Sequence, residues 1–312
     1  MKFEKPPLLV NDQIGILLGR GMTGDLAIMA ARLESVSYFR LSGYSYPFRK
    51  TDPANPGGLL DDFRPNTSFE EVWGRYVFDR HLRLVVMDAI ERIEVAVRTQ
   101  LANLHGHRHT VFGYATNPEA LPSIDTKQRL RFLDDLADQF EKSKEPFVTH
   151  FKNKYGDCHN CLPVFMACEV MTFGAVLTFH RGCHQEIRAK IASRFGVHHT
   201  VLDSWLLALN TVRNICAHHG RLWNRELGTK PKVPNKAPEW NDPVVIPNNR
   251  VFGILTICKY CLDRFAPQSN WASRVVQLLA DNPSVPLVSM GFPPQWRESP
   301  IWAGTTHATG GA

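Results

Sequence analysis

The sequence has no long hydrophobic run, no disulfide pattern and no series of alternating strands, and each absence excludes a class of protein. No stretch of about 18 apolar residues occurs, so we expect no membrane-spanning helix. The first residues include Glu4 and the pair Pro6 and Pro7 and lead into no apolar core, so we expect no secretory leader. The seven cysteines are an odd number without a framework spacing, which predicts reduced thiols. We therefore expect a cytoplasmic protein without a membrane partner.

Apolar residues recur with the helical period along most of the chain, which predicts a mainly α fold. Hydrophobic residues make up 44% of the sequence, enough for a sizeable core. Ser68 and Glu71 form a capping-box pattern that opens a long helix reaching about residue 104. Further helices are predicted at 25–37, 125–144, 163–180, 185–195, 200–217, 249–265 and 271–281.

Proline and glycine mark the boundaries of the predicted domains. The stretch 43–67 is rich in both residues, so residues 1–66 are predicted to form a small appendage that packs on a helical domain at 67–282. Residues 283–312 are a proline-rich tail that ends in small polar residues, and its end is expected to be disordered.

The most informative motif is Arg213-Asn214-Ile215-Cys216-Ala217-His218. Histidine titrates near neutrality and can move protons in a phosphodiester transfer. Arginine is permanently charged and forked, which suits the extra negative charge on a five-coordinate phosphorus. Asn214 can hold an oxygen or a ribose hydroxyl. This set of residues predicts RNA cleavage without a metal ion or other cofactor, because the attacking hydroxyl belongs to the substrate.

The spacing of arginine and histidine alone is weak, because similar pairs occur elsewhere in a chain with 13 histidines and 36 basic residues. The other pairs are Arg75/His81, Arg98/His105 and Arg194/His199. Only the pair at 213 and 218 lies at the last turn of a predicted amphipathic helix. Thr200 and Asp203 are candidate caps for its start, and Gly220 is a candidate stop.

Helical geometry divides the three motif residues between two faces. Asn214 and His218 are four positions apart and share a face, whereas Arg213 lies about 100° from Asn214. A site built from two copies of the helix brings the three groups together more easily than one copy does. The spacing therefore predicts a homodimer whose two motifs face each other.

Five segments of the chain resemble those of a known family in the same order. They are 38–49 (YFRLSGYSYPFR), 76–83 (YVFDRHLR), 89–98 (AIERIEVAVR), 162–174 (LPVFMACEVMTFG) and 213–225 (RNICAHHGRLWNR). Together they look like the Abi-like abortive-infection proteins of the AbiD/AbiF type, which belong to the HEPN superfamily. The resemblance extends from about residue 10 to about residue 265.

The resemblance implies an HEPN-type helical bundle that acts as a metal-independent endoribonuclease in phage defence. HEPN nucleases place arginine and histidine from two protomers or domains in one composite site, and some relatives look like toxins restrained by a small non-coding RNA. On this likeness Arg213 and His218 are the catalytic pair and Asn214 is their polar companion. Residues implied to contact RNA are His219, Arg221, Asn224, Arg225, Arg80 and Arg83.

Two other interpretations remain open. The net charge of +6 suits a polyanionic partner only mildly, and the same cationic helix end could hold a structured small RNA without cutting it. Alternatively, the pairs Cys158/Cys161 and Cys258/Cys261 could hold zinc in an interaction protein. The second pair lies in an apolar helix, where core positions explain it better.

Overall fold

The computed structural model describes Lys2 and residues 6–305 and shows a mainly α protein, as predicted. The helices in this part of the chain are α1 Val10–Gly19, α2 Leu26–Ser35, α3 Tyr38–Ser45, α4 Phe69–His109, α5 Gly113–Thr116, α6 Thr126–Lys142, α7 Pro146–Tyr155, α8 Val164–Val170, α9 Phe173–Gly182, α10 Gln185–Arg194, α11 His199–Ala217, α12 Val251–Phe265 and α13 Trp271–Ala280. Short 3-10 turns lie at Tyr46–Phe48, Pro118–Ala120, Pro238–Trp240, Leu287–Met290 and Trp296–Glu298. None of the described helices has both the length and the apolar character that crossing a membrane requires.

The chain divides into two compact units, Met1–Leu82 and Arg83–Ala312. The boundary falls inside α4, whereas the sequence predicted a division at residues 66 and 67. The predicted functional domains stay a prediction, because a geometric division within one continuous helix does not define them.

The first unit contains α1, α2, α3 and a two-stranded antiparallel sheet. Strand β1 spans Arg49–Thr51 and pairs with β2, Leu59–Phe63. This hairpin lies inside the stretch that the sequence marked only as rich in turns. The unit has a buried polar contact, because the Tyr44 hydroxyl donates to the carboxylate of Asp79 at 2.6 Å.

Helix α4 begins at the predicted capping box. The Ser68 hydroxyl accepts from the backbone N–H of Glu71 at 3.2 Å, and the Glu71 carboxylate accepts from the backbone N–H of Ser68 at 3.1 Å. The two contacts satisfy N–H groups that would otherwise lack partners at a helix start. The prediction of a long helix is confirmed, and α4 continues to His109.

In the second unit α11 is buried along one side. Its apolar residues Leu202, Trp205, Leu209 and Val212 are all at most 1% exposed. The indole N–H of Trp205 donates to the backbone carbonyl of Lys232 at 2.8 Å, which ties the proline-rich segment after the motif to the helix. This burial fixes the orientation of the polar side of α11.

The prediction of one continuous helix at 163–180 is wrong. The structure breaks it into α8 and α9, which are separated by Met171 and Thr172. The Thr172 hydroxyl accepts from the backbone N–H of Ala175 at 3.2 Å and so caps a new helix start. A threonine inside an apolar run is a weak sequence signal, which explains why periodicity alone missed the break.

The first part of the tail packs on α12. Trp302 stacks against Phe252, with ring centroids 6.0 Å apart, and its indole N–H donates to the Thr256 hydroxyl at 2.9 Å. Trp296 and Met290 are also buried. The predicted disorder at the very end of the tail falls on residues 306–312, which lie outside the described residues.

Candidate active site

The motif occupies the last turn of α11 and the turn that follows it. The helix ends at Ala217, and His218 caps it by donating its backbone N–H to the Asn214 carbonyl at 3.0 Å. The next two N–H groups turn back on the helix, from His219 to Cys216 at 3.0 Å and from Gly220 to Ile215 at 2.7 Å. This double closure is the Schellman arrangement.

The left-handed residue of this closure is His219, with a φ of 56°, not a glycine. The predicted stop at Gly220 is therefore displaced, since Gly220 follows the left-handed position. A side chain at such a position is costly for most residues, and the local structure must stabilise it. The chain thereby presents an imidazole directly after His218.

The predicted caps at the start of α11 are wrong. The capping residue is His198, whose side chain accepts from the backbone N–H of Thr200 at 3.4 Å. Asp203 instead forms a salt bridge with Arg188 and lies with one oxygen 3.1 Å from Nδ1 of the buried His180. Burial favours the neutral carboxyl of Asp203, but the interactions with His180 and Arg188 together outweigh burial and lower the pKa of Asp203.

All three motif side chains are accessible. Asn214 and His218 are exposed on the same face, one turn apart, and Arg213 is half-buried. The Arg213 guanidinium curls back towards that face, where Nη1 donates to Oδ1 of Asn214 at 3.4 Å. The contact joins two residues that helical geometry alone places about 100° apart. The arrangement offers a permanent cation, an amide and an imidazole to one ligand.

A buried carboxylate faces Arg213 from helix α4. Glu94 is 9% exposed and accepts a hydrogen bond from Arg98, which also donates to the Met171 carbonyl at 2.6 Å. Burial raises the pKa of Glu94, and the positive charges of Arg98 and Arg213 oppose that rise. Glu91, one turn earlier on α4, is exposed, so Glu94 is the buried one of the two glutamates.

The residues after the motif have different environments. His219 and Arg225 are exposed and Arg221 is half-buried. Asn224 has a left-handed backbone with a φ of 52°, and its side-chain oxygen Oδ1 accepts from Arg250 at 3.3 Å. RNA contact by these residues stays a prediction.

The two arginines predicted on α4 differ from each other. Arg80 is exposed, and its guanidinium lies 3.3 Å from Nε2 of His81. Arg83 is 6% exposed, and its guanidinium makes a long contact of 3.5 Å with the carbonyl of Gly220. This placement supports a role for Arg83 in holding the turn after the motif, and contact with RNA stays a prediction for both arginines.

The cysteine pairs lie in separate settings. Cys258 and Cys261 are buried inside α12, as the sequence predicted, and burial raises the pKa of both thiols. Cys158 is exposed and Cys161 is half-buried in the turn before α8. In the part of the chain that the structure describes, no three metal-binding side chains come together in a group that could hold a metal ion.

A family model described as Abi-like protein matches residues 31–224, which is more than half of the chain. The match includes Arg213, Asn214 and His218 and ends just after them. No curated protein and no solved structure matches the chain.

Proposed function

Because the chain belongs to the Abi-like protein family, which suggests a role in abortive infection, we propose that it is a metal-independent endoribonuclease of the HEPN type. The observation that supports this function is the contact between Arg213 and Asn214 on an exposed helix end that also bears His218. The buried side of α11 fixes these groups, whereas their functional atoms face solvent. A long, flexible polymer such as RNA can reach a site of this kind.

The proposed reaction is an attack within the substrate. The neutral imidazole of His218 takes the proton of a ribose 2′-hydroxyl, and the 2′-oxygen bonds to the adjacent phosphorus. Arg213 stabilises the negative charge that builds on the phosphoryl oxygens. The bond to the 5′-oxygen then breaks, and that oxygen takes a proton from the imidazolium of the second copy of the motif. The products carry a 2′,3′-cyclic phosphate and a 5′-hydroxyl.

Two exposed apolar side chains on α4 support the second copy. Leu84 is 62% exposed and Val95 is 51% exposed, and the two are eleven positions apart on α4, which places them on the same face. Glu94, the neighbour of Val95, is the carboxylate that faces Arg213. A second copy seated on this face buries both side chains and brings its own motif next to the first. We propose that the functional form is this homodimer.

Cleavage of a labelled single-stranded RNA in EDTA tests the proposal. We expect cutting with cyclic phosphate ends, a loss of about 100-fold or more in His218→Ala, and a similar loss in Arg213→Ala. Arg194→Ala is the matched control, since Arg194 is also an exposed arginine five positions before a histidine. It should cut like the wild type.

Two results would contradict a metal-independent nuclease. One is loss of cutting on chelation while Arg213→Ala remains active. The other is intact RNA recovered from a tight complex that His218→Ala leaves unchanged, which would favour a module that holds a small non-coding RNA. In cells, wild-type expression should slow growth and create new RNA 5′ ends that His218→Ala lacks.

A further inference from the structure

A groove of about 580 Å³ lies between α6 and α9 and is separate from the motif residues. Its walls are one face of each helix, and eight of the twelve lining residues are polar. The stacked rings of Phe132 and Phe179, with centroids 5.9 Å apart, join the two helices. The volume lies within the range of sites that bind small organic ligands, and a single nucleotide fits in it.

Two arginines give the groove its charge. Arg131 on α6 is exposed and Arg181 on α9 is half-buried, and neither forms a salt bridge within the described residues. The carboxylate in the lining is Asp135, which has no salt bridge there either. Guanidinium groups that lack a carboxylate partner suit a phosphate, whereas a carboxylate accepts from a base amino group or a ribose hydroxyl. The groove therefore offers complementary groups to each part of a nucleotide.

The groove adjoins the motif through α11. Gly174 lines the groove, and a side chain at that position would come within 3.9 Å of the Asn210 amide. Asn210 precedes Asn214 by one helical turn, a rise of about 6 Å.

A second route joins the groove to Glu94, the carboxylate whose charge interacts with that of Arg213. Gln139 accepts from the backbone N–H of Thr172 at 3.1 Å, and both residues line the groove. Thr172 follows Met171, whose carbonyl accepts from the arginine that holds Glu94. One wall of the groove is thus continuous with the residues that hold Glu94.

From this continuity we infer that the groove between α6 and α9 binds a nucleotide of the RNA strand next to the phosphate that is cut. The inference rests on the proposed function, since it takes the RNA bound at the motif as its ligand. Arg131 and Arg181 bind the phosphodiester backbone, and Asp135 accepts from the base or the ribose. The groove then gives the nuclease a preference for the nucleotide beside the cut.

RNA binding without cleavage tests the inference. All proteins carry His218→Ala so that the RNA stays intact. A fluorescent 12-nucleotide RNA is titrated with the double variant Arg131→Gln/Arg181→Gln and, separately, with Lys127→Gln, and binding is measured by fluorescence anisotropy. Lys127 is the matched control, because it is an exposed cation on α6 outside the groove lining. We expect the double variant to bind at least about tenfold more weakly. The slope of its log affinity against log salt concentration should be less steep by about 1.4, which is the change expected for the loss of two phosphate contacts on a single strand.

The outcomes separate the groove from the catalytic proposal. If the double variant and Lys127→Gln bind RNA with the same affinity and the same salt dependence, the groove is not an RNA-binding site, whether or not the wild type cuts RNA. If RNA affinity depends on the two arginines but the wild type never cuts RNA, the proposed nuclease activity is wrong and RNA binding in the groove is retained. Calorimetry with free nucleoside monophosphates adds a third result. Binding that requires both arginines, with RNA affinity unchanged, would assign the groove to a free nucleotide and overturn the RNA subsite.

Discussion

Arg98 donates a hydrogen bond to the buried carboxylate of Glu94, and this pair lies beside the arginine of the motif. Two cations thus share one carboxylate, because Arg213 also acts on Glu94 electrostatically. Arg98 is fixed in turn by the carbonyl oxygens of Glu169 and Met171. On the proposed function, this arrangement makes Glu94 a positioning residue for Arg213, which would reach the phosphate while it remains next to Asn214.

Glu94→Gln should separate activity from stability. The substitution removes the negative charge that faces Arg213 and keeps an oxygen that accepts from Arg98, so RNA cleavage should fall about tenfold. Burial raises the pKa of Glu94, so the ionised side chain lowers the free energy of unfolding. This loss of stability is absent below about pH 4.5 and grows as pH rises through the raised pKa. At pH 7 the variant should therefore be at least as stable as the wild type in thermal unfolding.

Glu91→Gln is the control for this test, because Glu91 is exposed on the same helix and should leave both cleavage and melting temperature unchanged. A Glu94→Gln protein that melts earlier but cuts at the wild-type rate would assign Glu94 a purely structural role.

Val95→Glu should weaken the proposed dimer. Val95 is 51% exposed, so the change leaves the fold of one chain intact but places a charge in the proposed contact on α4. A buried, unpaired carboxylate at an interface is costly, and we expect a monomer in sedimentation with a matching loss of RNA cleavage. Asn103→Glu, an exposed position two turns further along α4, should remain dimeric and active. Full cleavage by a monomeric Val95→Glu protein would contradict the composite site.

The sequence predicted the helix that carries the motif better than it predicted the surroundings of that helix. Periodicity placed α11 at 200–217, within one residue of the observed His199–Ala217, because one side of the helix is buried along its whole length. Its caps were missed, since histidines at 198 and 219 replace the residues that usually start and stop helices. The approach of Glu94 to Arg213 depends on contacts between distant parts of the chain, which local patterns do not record. The groove between α6 and α9 was missed for the same reason.

The left-handed backbone at His219 predicts an unusual order of stability. His219→Ala and His219→Gly both remove the imidazole, so they differ mainly in how easily the backbone adopts a φ of 56°. Glycine adopts this conformation freely, whereas alanine does so at a cost of about 1 kcal/mol. His219→Gly should therefore be the more stable of the two in denaturant unfolding. The same comparison at the exposed helical position Ala217 should give the reverse order, because glycine weakens a helix. An alanine variant at 219 as stable as the glycine variant would show that the turn relaxes.

Acid should destabilise the second unit through a buried histidine at the end of α4. His105 is fully buried against Phe179 and His109, with ring centroids 4.9 Å away in both contacts. Burial, followed by the charges of His109 and His184, lowers the pKa of His105 to about 4.

In the unfolded chain, the imidazole of His105 binds a proton near pH 6.5. The resulting loss in the free energy of unfolding is therefore absent above that pH and grows to about 3 kcal/mol as pH falls towards 4. His105→Phe keeps a ring in the cavity and removes the proton site, so its free energy of unfolding should fall less between pH 7 and pH 4.5. His107→Gln, at an exposed position of the same helix, should follow the wild type. Parallel loss of stability in the wild type and His105→Phe would mean that other groups cause the acid sensitivity.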